Sequence, residues 1–310
     1  MIKQFFVPES ISFAKLTDIA KVTFSAAIAL NLWVSPSLAG DPFRNSTQHS
    51  IGDQTEAAFK AVFQQGDYSA AARYLKQALS SEPNEPLAYA MSASLAYGNK
   101  DWARLDAYSK KTLETGQKLV SSDPLRGNLY TAVGHFLEGG AIITREGTNG
   151  VPKAFGRLRQ VYEYLDKAEA ISPNDPELNL IKGYMDLLLA VNLPFANPDQ
   201  AIERLEKNAA PQYLVDRGIA LAYRDLKQYS QALDYADRAL KTTSENPEIY
   251  YLKAQILQEK GKKENSKPLI QDAIANFDKA LTKKSQLPSS LVKQIERERN
   301  QATNRLNNLG

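Results

Sequence analysis

Gln65-Gly66-Asp67-Tyr68, followed by Ala71, Leu75, Ala78 and Pro83, decides the fold of this chain. The Gly-Asp pair makes a turn between two helices. Beyond it, small residues at helical spacing let those helices cross closely. Pro83 stops the second helix, because proline lacks an N–H and disfavours helix in the residue before it. The same order returns as Lys227-Gln228-Tyr229 with Ala232, Ala236 and Ala239. One helix pair cannot bury its apolar face alone, so the repetition predicts a stack of pairs whose core lies between successive layers.

The helix stops mark those layers. Ser81-Glu82-Pro83-Asn84-Glu85-Pro86, Ser172-Pro173-Asn174-Asp175-Pro176 and Ser244-Glu245-Asn246-Pro247 each end one helix and begin another. Pro86, Pro176 and Pro247 suit a first helical turn, where the missing donor is not needed. Helical periodicity starts at Thr55 or Glu56 and strand signals are nearly absent. About six helix pairs fit between the marks. The second turns at Lys100-Asp101-Trp102 but carries Leu105 where a small residue belongs. The third has Gly134 at its small position and is interrupted by a loop over Glu146-Gly147-Thr148-Asn149-Gly150-Val151-Pro152. The fourth has Gly183 and a turn over 192–198 containing Leu193-Pro194-Phe195. The fifth carries Ala220 and Tyr223, and the sixth Tyr250, Ala254, Gly261 and Ala273. After Pro288, Leu291, Ile295, Ala302 and Leu306 form one apolar stripe on a final helix, with Ser289 or Ser290 placed to cap its start.

These Ala-rich pairs with turns such as Gly66-Asp67-Tyr68 resemble the tetratricopeptide repeat (TPR) superfamily over Thr55 to Leu281, the first, fifth and sixth pairs following its roughly 34-residue spacing best. Three strings narrow the resemblance. They are 123–130 (Asp123-Pro124-Leu125-Arg126-Gly127-Asn128-Leu129-Tyr130) continued by 134–139, Leu180-Ile181-Lys182-Gly183-Tyr184-Met185-Asp186, and Ala222-Tyr223-Arg224-Asp225-Leu226. They are similar to a family of exported TPR proteins of cyanobacteria, which implies the periplasm or the thylakoid lumen and supplies no established activity. The expected fold is all-α, a right-handed TPR-like solenoid of about six helix pairs over 55–287 with a capping helix over 288–310.

Upstream, the apolar run from Val22 to Val34 follows a lysine-containing segment and precedes Ser37-Leu38-Ala39, the pattern of a secretory signal over 1–39 cut after Ala39. An uncleaved anchor is the alternative, although a bilayer core asks for roughly twenty apolar residues. Residues 40–54 are polar and aperiodic and read as a flexible lead-in. The 310 residues include no cysteine, which leaves out disulfides and thiolate chemistry. With 38 Lys and Arg against 35 Asp and Glu, the net charge is +3, too balanced for a broad attraction to nucleic acid or anionic lipid. The C-terminal lysines and arginines from Lys262 onward are interleaved with acids and read as a solvated face. No nucleic-acid partner is expected, and membrane association only through a partner or an uncleaved leader.

Catalytic chemistry finds little to stand on. His135 and Glu138 share a helix face and could bind a metal or exchange a proton, or form an ordinary hydrogen-bonded pair. Neither a nearby second histidine nor a cysteine completes a zinc set, so no cofactor or metal is expected. Gly147 and Gly150 lack the Gly-Lys-Ser/Thr of a phosphate loop. The concave groove of the array is the better candidate for a protein or peptide partner. The register places Asn128, Thr131, His135, Tyr184, Arg217, Arg224, Tyr251 and Gln255 at or near it. Arg217 and Arg224, two turns apart, would meet a partner's carboxylate, or Arg224 would pair with an acid such as Asp186. Phe195 either tucks under the next layer or anchors a partner. The expected function is a non-catalytic scaffold aiding assembly of a membrane complex. The alternative is a small-molecule or glycan pocket, possibly hydrolytic, near His135, Glu138 and Tyr184.

Overall fold

The computed structural model describes residues 40–44, 46, 48–192 and 198–309. The signal expected over 1–39 and Phe195 lie outside the described residues. Among those residues every regular element is helical. Six antiparallel pairs follow one another: α1 (Asp53–Phe59) with α2 (Tyr68–Ser81), α3 (Pro86–Gly98) with α4 (Trp102–Leu119), α5 (Pro124–Glu146) with α6 (Val151–Ile171), α7 (Pro176–Asn192) with α8 (Pro198–Asn208), α9 (Gln212–Asp225) with α10 (Tyr229–Thr242), and α11 (Pro247–Glu264) with α12 (Lys267–Leu281). A last helix, α13 (Ser289–Asn308), packs on α12.

Local chemistry explains the boundaries. Pro86, Pro124, Pro176 and Pro247 each open an inner helix at its first position. Side chains just before them accept the orphan N–H groups of the first turn: Glu85 from Leu87, Asp123 from Arg126, Asp175 from Leu178 and Asn246 from Glu248. The outer helices α2, α4 and α12 start the same way, on Asp67, Asp101 and Ser266, whereas α6 and α10 have no side-chain cap. α13 is an exception to the sequence reading. It begins after Pro288 with no side-chain cap, and Ser289 and Ser290 already belong to the helix.

The first turn is the tightest. α1 continues into a π-helical stretch, Lys60–Gln65, which ends at Gly66 in the left-handed region with φ 74°. A Cβ there would lie 2.2 Å from Cδ of Pro247, so this turn is also a contact between the first pair and the sixth. Asn246 reaches across the same gap, donating from Nδ2 to the Phe63 carbonyl at 3.2 Å, and the Tyr68 hydroxyl donates to Glu248 Oε1 at 2.7 Å. The stack therefore curls until its first layer meets the start of its sixth.

Burial runs between neighbouring layers, as the succession of helix contacts shows. Curling adds one larger buried cluster, which joins Phe43, Ile51, Phe59, Val62 and Phe63 with Met91 of α3, Tyr130 of α5, Leu187 of α7 and Ile219 of α9. Smaller clusters lie between neighbouring layers, such as Leu129, Val161, Leu165 and Leu178 between the third and fourth pairs. Two segments read as loops are also ordered into the fold. Residues 147–150 form a short 3-10 turn running straight into α6. The lead-in is packed rather than flexible: Phe43 is 5% exposed and Ile51 is fully buried. Its composition is polar, but its two apolar residues enter the central cluster and its charges find partners there.

Candidate functional site

Those partners form the most concentrated charged group in the interior. Arg44 donates from Nε to Asp175 Oδ2 at 2.9 Å and from Nη1 to Asp41 Oδ2 at 2.6 Å and Glu177 Oε2 at 3.2 Å. Arg126 donates from Nη2 to Glu85 Oε1 at 2.9 Å and from Nε to Glu177 Oε2 at 3.3 Å. The Tyr130 hydroxyl donates to the other Glu177 oxygen. His49 pairs with Asp123 alongside. Glu85, Arg126 and Glu177 sit in the first turns of α3, α5 and α7 or just before them, so three helix N-termini converge here. Burial pushes the Glu177 carboxyl up, while Arg126 and Arg44 pull it down. Two arginines face four carboxylates, and the positive ends of the three helices offset part of the excess. Every member is occupied by another, and the lead-in lies over the inner helices as a strap with Arg44 as its pin.

The residues expected at the groove do not form one surface. Asn128 and Thr131 bond back to their own helix, to the carbonyls of Pro124 and Gly127. His135 lies against the Tyr164 ring, with centroids 5.5 Å apart. Arg157 Nη1 approaches its Nδ1 at 3.4 Å; arginine only donates, so Nδ1 accepts and the proton sits on Nε2. Burial, and then Arg157, push this imidazole down to about 4. Arg157 also bridges to Glu138 at 3.0 Å, and Glu138 stands 3.9 Å from the ring. Tyr184 is elsewhere, donating to the Leu214 carbonyl and pressed on Gly218 of α9. Among the described residues no group of three or more His, Asp or Glu side chains is placed to hold a metal ion.

Arg217 and Arg224 part company. Arg217 is 6% exposed and its Nη2 donates to Glu248 Oε2 at 2.8 Å, the carboxylate that Tyr68 also reaches, so it braces the closure. Arg224 is half-buried and pairs with Asp225 and with Gln255 at 2.8 Å. The acid weighed as its partner, Asp186, holds Tyr162 at 2.9 Å instead. Gln255 in turn donates to Tyr251 and to Glu298 of α13, and Tyr251 donates to Glu298. Arg224, Gln255, Tyr251 and Glu298 thus make a polar row across α9, α11 and α13.

Residues 247–282 match the tetratricopeptide repeat family. The match covers α11 and α12, the sixth pair, whose inner helix carries Tyr251 and Gln255 of that row. A search of curated proteins finds no match to the chain. TPR-type helix arrays generally mediate contacts between proteins, and the other pairs repeat the same architecture with looser sequences. Sequence reasoning missed the apolar side chains that this TPR-like array leaves in solvent: Trp102 at 45%, Phe155 at 54% and Ile171 at 51% exposure. Their signal was present as apolar residues on otherwise polar outer helices. Such aromatic groups are enriched where protein partners meet.

Proposed function

We propose that this chain is an exported, non-catalytic TPR scaffold that holds a protein or peptide and serves the assembly of a membrane complex. The observation carrying the binding reading is the half-buried row Arg224–Gln255–Glu298, which borders the matched repeat. It offers the remaining guanidinium hydrogens of Arg224 to a partner's carboxylate. Export to the periplasm or thylakoid lumen rests on the apolar run before Ser37-Leu38-Ala39. No described helix is long and apolar enough to cross a membrane.

Quantitative affinity capture from native cells tests the reading, comparing wild type with Arg224→Glu. Arg217→Ala would be a poor probe, because it strands Glu248 in the interior. Loss of one enriched protein in the Arg224→Glu sample, with its melting temperature kept, supports the scaffold. Equal recovery of every enriched protein by both chains removes the row as the binding surface.

A further inference from the structure

We propose that the Ala39–Gly40 bond is cut and that the ammonium group created at Gly40 docks on the Glu56 carboxylate, fastening the strap to α1. The Gly40 nitrogen already lies 3.0 Å from Glu56 Oε2. The Glu56 side chain is 13% exposed and its other oxygen meets Lys60. The approach is close enough that a Cβ on Gly40 would stand 2.9 Å from Glu56 Oε1. The next residue, Asp41, is buried and holds Arg44. Position 40 follows directly on the small-residue pattern of Ser37 and Ala39.

In an uncut chain that nitrogen is a neutral amide with one hydrogen facing a carboxylate. Hydrolysis adds the hydroxyl of one water to the Ala39 carbonyl carbon as the C–N bond breaks, and a proton of that water goes to the Gly40 nitrogen. The catalyst is a leader peptidase of the export route. The free amine takes a second proton from solvent, since an α-amino group ordinarily titrates at about 7.7–8.0 and a neighbouring carboxylate holds its proton more tightly. The Gly40 nitrogen then donates from a full positive charge, through three hydrogens in place of one.

The inference rests on the export reading, and the test separates the two. The full chain is produced with its leader in an exporting cell, and the recovered protein is sequenced from its N-terminus and weighed. A start at Gly40 is expected. The mature protein and its Glu56→Gln variant are then each compared with forms whose α-amine is acetylated. Acetylation is expected to lower Tm by about 1–3 °C in wild type and to leave Glu56→Gln unchanged. The Gly40 amine, followed by NMR, is expected to titrate above its ordinary value only while Glu56 is present. A start at another residue keeps export and overturns the docking. A retained leader in unexported protein overturns both. Equal effects of acetylation in wild type and Glu56→Gln overturn the ion pair while leaving the cut.

Discussion

Turn residues carry the sharpest local consequences. Gly66, Lys100 and Lys227 all hold positive φ two residues before an outer helix begins, but only the first is glycine. Left-handed backbone costs a side-chain-bearing residue about 1–2 kcal/mol, and glycine returns part of that as unfolded-chain entropy. Lys227 is exposed. Lys227→Gly is therefore expected to raise Tm by about 1–3 °C, measured by calorimetry. Gly66→Ala is expected to lose about 3 kcal/mol, because the new methyl collides with Pro247 as well as straining the turn. His135 gives a pH dependence of known sign. Its imidazole is held down at about 4 in the fold, against about 6.5 when unfolded. The unfolded chain therefore binds the extra proton first, and the stability present above pH 6.5 falls as pH drops toward 4, by up to about 3 kcal/mol. Urea midpoints for wild type and His135→Gln between pH 7 and pH 4.5 check this, with a flatter profile expected in the variant.

At the scale of the element, the strap and the inner-helix starts form one unit. Arg126→Met is expected to cost about 3–5 kcal/mol at neutral pH, since it leaves Glu85 buried without its cation and Glu177 with Arg44 alone. Burial pushes the Glu177 carboxyl up, so the loss shrinks as pH falls and that group takes up a proton. Chemical denaturation at pH 7 and pH 4 measures the difference. How much of this was legible depended on range. The helix starts at Pro86, Pro176 and Pro247 followed from rules acting within four residues. Arg44 was read as part of a flexible lead-in, because its partner Asp175 lies 131 residues away in the sequence. The groove register suffered similarly. Arg217 and Arg224 share a helix face by spacing, yet one turns inward to Glu248 because the first layer arrives there, which spacing along α9 cannot reveal.

For the whole molecule, closure sets how the parts share stability. An open array lets each layer unfold with little effect beyond its neighbours. Here Asn246→Ala removes the cap of α11 and the hydrogen bond to the Phe63 carbonyl, with an expected cost of about 2–3 kcal/mol. Hydrogen exchange is expected to quicken over residues 53–81 as well as 247–264. Acceleration confined to α11 and the layers beside it would mean that the contact between first and sixth pairs carries no stability.

The same contact imposes a timetable on the growing chain. Phe63 precedes Asn246 by 183 residues. At a synthesis rate of about 5–20 residues per second, the first pair waits roughly 10–40 s for the side chain that bonds to it across the closure. Throughout that interval Phe59, Val62 and Phe63 have no sixth layer beside them and only part of the inner cluster to bury them. A newborn chain is thus sticky over its first layer for more than half of its synthesis, the period in which a holdase would find it.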